Sequence, residues 1–321
     1  MGKWAVCLAT IRPELAVRWL EHWQKVFDLH KADVYIMQDT SVANIPSEPN
    51  IHVFDHTNAL DEFGENSWVI PKHTDTCRSY AMLQAYKHGY DYYLTLDDDC
   101  LPSGDPIGAY ETMFRPQQAY AYKYFDVGSF FGYKHHVRGY PYGIRNQYGV
   151  AAQYGVWLNF PDYDGLTSIE EDITPEYDIS SDIVAVPKYS GLTGCIMNAA
   201  FSHKYMPAMY QLCMGEKAGY DRFGDIWSAL IMKRIADHLE DIVLMNGLAR
   251  VVHEKASDPR KCLTKEMPAM TKNEKLWENL LAIKLAGNTP LECFVEIAES
   301  GAIPEPHQEA MLLWAKVLEQ Y

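Results

Sequence analysis

The sequence predicts an α/β protein: a mostly parallel sheet with helices packed on both faces. Two observations carry that expectation, and a third extends it. Short apolar runs alternate with stretches of helical apolar spacing across residues 4–99. The polar loops Thr10–Pro13, Gln38-Asp39 and Asp97–Asp99 each follow an apolar run, and ligands of such sheets bind at the carboxyl ends of strands. From about Lys272 the chain turns into amphipathic helices.

Trp4–Ala9 reads as a buried strand, ended by Thr10-Ile11-Arg12-Pro13, where proline suits the first turn of a helix. Apolar residues at 15, 16, 19, 20, 23, 26 and 27 give that helix its buried stripe. Val34–Met37 and Ile51–Phe54 read as the second and third strands. Thr74 and Asp75 suit the cap of a helix running to about Lys87, stopped by Gly89. Tyr92–Leu96 is a further buried strand, running directly into Asp97-Asp98-Asp99. Residues 119–188 are rich in Tyr, Gly, Asn and Asp and read as strands and long ordered loops. Asp225–His238 is helical, and the terminal helices break near Asn288-Thr289-Pro290 and Ile303-Pro304. The expected division is a catalytic unit over residues 1–260 and a helical extension over 261–321.

The formal net charge of −15 disfavours nucleic acid and anionic membranes as partners. No run reaches the ~18 uninterrupted apolar residues of a membrane span, and the first ten residues are too short an apolar segment for a signal peptide. Seven scattered cysteines with no C-x-x-C spacing suit reduced thiols, and the expectation is a soluble cytoplasmic protein. Motifs for flavin or nicotinamide binding, P-loop phosphate binding, serine hydrolases and zincins are all missing.

The chemistry centres on the acidic triplet. In extended backbone Asp97 and Asp99 point one way and Asp98 another, so the outer pair would repel without a cation between them. Oxygen ligands beside a diphosphate suit Mg²⁺ or Mn²⁺. An acidic turn without function is an equal reading of the triplet on position alone. Arg138 and Arg145 lie in a Gly/Pro/Tyr frame that reads as a rigid loop. Their guanidinium forks suit phosphate, and surface arginines stacked on tyrosine are the competing reading. His253 and Lys255, after an apolar stretch, suit a metal and a phosphate respectively, while a structural histidine is the commoner outcome.

These pieces occur together, in order, with the strings Val137-Arg138-Gly139-Tyr140-Pro141 and Trp157-Leu158-Asn159-Phe160-Pro161-Asp162-Tyr163-Asp164. In this the chain resembles the plant reversibly glycosylated polypeptides, the UDP-arabinopyranose mutases, over nearly its whole length. The resemblance implies a GT-A-like, Rossmann-type sheet and metal-dependent binding of a UDP-sugar, UDP-arabinose in particular. It implies Mn²⁺ or Mg²⁺ as cofactor, held by Asp97, Asp99 and His253, with no flavin and no NAD. Thr10, Arg12, Asp39 and Arg78 would sit at the uridine, with Asp98 beside them and Lys255 on the diphosphate. Arg138 matches the arginine that becomes glycosylated, Arg145 its companion, and Asp225 a base or orienter. The implied activity is the pyranose–furanose mutase with reversible self-glycosylation. Transfer of the sugar to an acceptor is the alternative, and a homo-oligomer is left open. The chain departs from the plant pattern in two places: Gly224 replaces an acidic residue just before Asp225, and residues 71–77 differ.

Overall fold

The computed structural model describes residues 2–40, 45–46, 48–115, 127–141, 149–254 and 258–321. Its first half alternates strand and helix: β1 (Trp4–Thr10), α1 (Pro13–His30), β2 (Asp33–Gln38), β3 (Ile51–Phe54), α2 (His56–Phe63), α3 (Cys77–Tyr86) and β4 (Tyr92–Leu96). Next come β5 (Cys100–Pro102), α4 (Pro106–Phe114), α5 (Val127–Phe130), β6 (Val150–Asn159), α6 (Thr167–Glu170), β7 (Ile183–Ala185) and β8 (Asn198–Ser202). The chain closes with α7 (Gly224–His238), β9 (Ile242–His253), α8 (Pro259–Ala282), α9 (Pro290–Glu299) and α10 (Glu305–Leu318).

Among the described residues the strands form one sheet in the order β3-β2-β1-β4-β8-β6-β9-β5, with β7 pairing β9. β1 through β4 are mutually parallel along that path, and β6 pairs β9 in parallel. Antiparallel β8, between β4 and β6, leaves β6 and β9 running the same way as β1. The carboxyl ends of β1, β2, β4, β6 and β9 therefore meet at one edge, and the sheet is mostly parallel, as the sequence predicts.

Period-two alternation builds two cores from single strands. Ala5 and Cys7 of β1, Tyr35 and Met37 of β2, and Tyr93 of β4 face a core shared with α3, α7, α9 and α10. Trp4, Val6, Leu8, Val34, Ile36, Leu94 and Leu96 face the other core, filled by Trp19, Trp23 and Phe27 of α1. The Trp23 and Phe27 rings stack 5.5 Å apart. Helix α1 begins with Pro13 at its first position and ends on Lys31 in the left-handed conformation, φ 51°.

The terminal helices break where expected. Thr289 and Glu292 close a reciprocal capping box at α9, and Pro304 precedes α10. Trp314 of α10 stacks on Tyr210 at 5.0 Å and donates its indole N–H to the Pro207 carbonyl, which ties the last helix to the core. α8 begins at Pro259, earlier than the apolar period suggests, because the side chain of Asp258 caps it. At α3 the expected cap differs. The helix starts at Cys77 with no side-chain cap, and the Asp75 carboxylate is turned elsewhere. Among the described residues no helix is long and apolar enough to cross a membrane.

Candidate active site

The parallel register that sets Leu8 beside Leu96 brings the loops after β1 and β4 together. Thr10 Oγ1 donates to Asp98 Oδ2 at 2.6 Å, and Arg12 Nε reaches the same oxygen at 3.3 Å. Arg12 Nη2 also pairs with Asp98 Oδ1, and lies 3.1 Å from Asp99 Oδ2. Asp98 is thus a buried anchor. Burial pushes its carboxyl up, and the bonds from Arg12 and Thr10 pull it back.

The triplet is not extended: Asp97 O accepts the Cys100 N–H at 3.1 Å, making a turn. Asp97 is drawn to Arg78 at the start of α3, whose side chain is buried. Asp99 faces His253 instead, because the antiparallel pairing of β5 with β9 sets His253 opposite Cys100. His253 Nε2 lies 3.8 Å from Asp99 Oδ1.

That histidine provides a test of whether the residues suit a metal. Its Nδ1 is 2.6 Å from the Phe160 carbonyl, which can only accept, so Nδ1 carries the proton. In the neutral ring Nε2 is then a bare lone pair facing a carboxylate oxygen, at a separation too long for a hydrogen bond. Two acceptors so placed favour a cation between them, and a backbone carbonyl on Nδ1 is the usual support of a ligating histidine. Asp99 and His253 fit a divalent ion, with Asp97 available once it leaves Arg78.

Beside this lies a second group of acids. Asp225, in the first turn of α7, donates its backbone N–H to Asp75 Oδ2 at 3.2 Å. Burial and the neighbouring Asp225 push Asp75 up to about 7. Asp225 is raised by burial too, and eased by Cys195 and Arg78. Asp162 is solvent-exposed as a residue, but its carboxyl is crowded by protein, including Asp225 and Asp97, and is pushed up to about 6. Among the described residues, Asp75 Oδ1 and Arg78 Nε are buried with no hydrogen-bond partner, a costly state that a polar ligand or water would relieve.

Asp39, after β2, is buried. Its Oδ1 accepts from His56 Nε2 at 2.6 Å, and its Oδ2 accepts the His73 backbone N–H. Asp39, His56 and Cys77 place one ligand atom each within 4.8 Å of one another. Among the described residues that spacing is met by this group and not by Asp97, Asp99 and His253.

Thr10, Arg12, Arg78, Asp97, Asp98, Asp99 and His253 thus come together, with Asp225 and Asp162 near Asp97. Arg138 is exposed in the loop after α5, and among the described residues no hydrogen bond or ion pair links it to these acids. Arg145 and Lys255 lie outside the described residues. Sequence reasoning missed Asp75, His56 and Cys77 as site residues; only the packing of α2, α3 and α7 on the strand ends brings them in.

The profile of the family described as reversibly glycosylated polypeptide matches residues 2–312. Pea (Pisum sativum) probable UDP-arabinopyranose mutase 1 is 27% identical over 323 residues, covering 94% of this chain and 87% of the pea protein. UDP-arabinopyranose mutase 1 of Oryza sativa subsp. japonica is 29% identical over 294 residues, covering 87% and 79%. Probable UDP-arabinopyranose mutase 4 of Arabidopsis thaliana is 28% identical over 342 residues, covering 98% and 90%. Among solved structures, S. aureus TarS 1–349 aligns with a TM-score of 0.45 and 10% identity, over 99% of this chain and 91% of that one.

Proposed function

This chain belongs to the reversibly glycosylated polypeptide family, and we propose from that premise that it is a metal-dependent UDP-arabinopyranose mutase. The observation that carries the reading is the match, over 94% of this chain, to a relative named for that activity. The clustering of Thr10, Arg12, Arg78, Asp97, Asp98, Asp99 and His253 at one sheet edge supports it.

Exchange of pyranose for furanose requires the C1–O bond to UDP to break, the ring to open, and a different hydroxyl to close on C1. Thr10, Arg12, Asp39 and Arg78 would sit at the uridine. Asp97, Asp99 and His253 would hold Mn²⁺ or Mg²⁺, which when bound supplies positive charge against the departing diphosphate. Arg78 is already buried beside Asp97 and adds a fixed cation to the same region.

Opening and reclosing a ring moves protons between sugar hydroxyls. Asp162 and Asp225 suit that task, because burial raises both carboxyls above the ordinary range, Asp162 to about 6. A nitrogen on C1 would help expel the ring oxygen, and Arg138 is the nitrogen the resemblance offers. Guanidinium is a poor nucleophile unless a carboxylate takes its proton, so Arg138 would have to close on the acids. Its exposed position favours a second reading, transfer of the sugar from UDP to an acceptor. The seven unpaired cysteines support a reducing, cytosolic setting.

Incubation with UDP-arabinofuranose and Mn²⁺, read by chromatography of the nucleotide sugars and intact-protein mass spectrometry, tests this. UDP-arabinopyranose formed without acceptor supports the mutase, and a pentose adduct on the Arg138 peptide supports the covalent route. Turnover that appears only with an acceptor overturns the mutase in favour of the transferase. Full mutase activity in Arg138→Lys without an adduct removes Arg138 as nucleophile.

A further inference from the structure

We propose that Asp39, His56 and Cys77 form a second metal site of three protein donors, built for a thiophilic divalent ion such as Zn²⁺ and separate from the acidic triplet. The three residues come from separate places in the chain: Asp39 follows β2, His56 opens α2 and Cys77 opens α3.

Bonds of about 2.0–2.3 Å to a tetrahedral ion place neighbouring ligand atoms about 3.3–3.6 Å apart. His56 Nε2 is 3.7 Å from Cys77 Sγ, and Asp39 offers an oxygen within 4.8 Å of both. The imidazole–thiol edge is therefore close to its bound length. The edge from Asp39 Oδ1 to His56 Nε2 is a 2.6 Å hydrogen bond that has to open by less than about 1 Å. A supporting contact is present, since Asp39 Oδ2 accepts the His73 backbone N–H. The Cys77 thiol donates to the Pro71 carbonyl at 3.1 Å, a bond it gives up on binding metal. His56 also lines a groove of about 470 Å³ with Ile70, Pro71 and Lys72.

The donor set chooses the metal. One thiol, one imidazole and one carboxylate suit zinc or cobalt and not magnesium, which takes oxygen. In the metal-free protein burial and the Asp39 carboxylate keep Cys77 a thiol. Forming the sulfur–metal bond therefore releases the thiol proton to solvent, while His56 frees Nε2 by moving its proton to Nδ1. The bound ion would clamp the end of β2 to the starts of α2 and α3.

Co²⁺ titration of the full-length, metal-stripped protein tests this. One equivalent should produce a thiolate-to-cobalt charge-transfer band with tetrahedral visible bands, displaced by Zn²⁺ and unaffected by excess Mg²⁺. The spectrum should persist in the Asp97→Asn/Asp99→Asn protein and vanish in Cys77→Ser. His56→Gln, a second variant, should weaken Co²⁺ binding at least tenfold. Zn²⁺ should raise the melting temperature of wild type and not of Cys77→Ser. No charge-transfer band in wild type, or a band that survives Cys77→Ser, overturns the site and leaves Asp39, His56 and Cys77 as a hydrogen-bonded support.

Discussion

Asp75 Oδ2 accepts the backbone N–H of Asp225 at 3.2 Å, across 150 residues of sequence. The same carboxylate fills the space beside Gly224, where an added Cβ would lie 3.0 Å from Asp75 Oδ2 and 2.8 Å from the Leu212 carbonyl. Asp75 and Gly224 thus share one contact: Asp75 puts its acid where a side chain at 224 would project.

A Gly224→Ala substitution should therefore destabilise the protein by about 1–3 kcal/mol, the usual cost of overpacking. In an Asp75→Ser background part of that cost should disappear, because one of the two crowding groups is gone. Thermal melts of the two single variants, the double variant and wild type measure the coupling. Strict additivity would show that the two positions do not share the space.

The acid cluster should also make stability fall as pH rises. Asp75 and Asp162 are raised in the folded protein, from 3.8 to about 7 and about 6 respectively. Between about pH 4 and pH 7 the folded state holds protons that the unfolded chain has lost, so stability declines as pH climbs through that window. Denaturant midpoints at pH 5 and pH 8, in EDTA, should drop more for wild type than for Asp75→Asn or Asp162→Asn. Equal slopes would mean that neither carboxyl holds a proton in the folded protein.

Removal of divalent metal should abolish turnover, and Mn²⁺ should restore it. His253→Ala and Asp99→Asn should each weaken Mn²⁺ by at least about tenfold, read from the free-ion signal in electron paramagnetic resonance. Asp98→Asn should leave Mn²⁺ affinity within a few-fold, because Asp98 is spent on Thr10 and Arg12. Loss of Mn²⁺ binding in Asp98→Asn alone would move the metal to the other side of the triplet.

Thr10→Val keeps shape and removes the hydroxyl that donates to Asp98 at 2.6 Å. A buried carboxylate losing a donor should cost about 1.5–3 kcal/mol. Guanidinium melts of the two proteins check this, and a change under about 0.5 kcal/mol would mean that Arg12 alone satisfies Asp98.

The sequence by itself determined the first four strands, α1, α3, α7 and the terminal helices, because their signals are local. Ile51–Phe54 and Tyr92–Leu96 appear with the bounds their apolar runs suggest, and the breaks at Pro290 and Pro304 follow from proline and capping chemistry. It also determined which loops meet at one edge of the sheet, since loops after parallel strands share that edge. Tertiary structure alone decided the partners within that edge. Asp97 went to Arg78 and Asp99 to His253, because the triplet turns instead of extending and because β5 pairs with β9. Asp75 met Asp225, and His56 and Cys77 closed on Asp39, through helix packing that no spacing in the chain encodes. Periodicity reports which face of an element is buried. Which distant carboxylate, thiol or imidazole lies opposite depends on strand order and crossover, and those are settled only when the sheet is assembled.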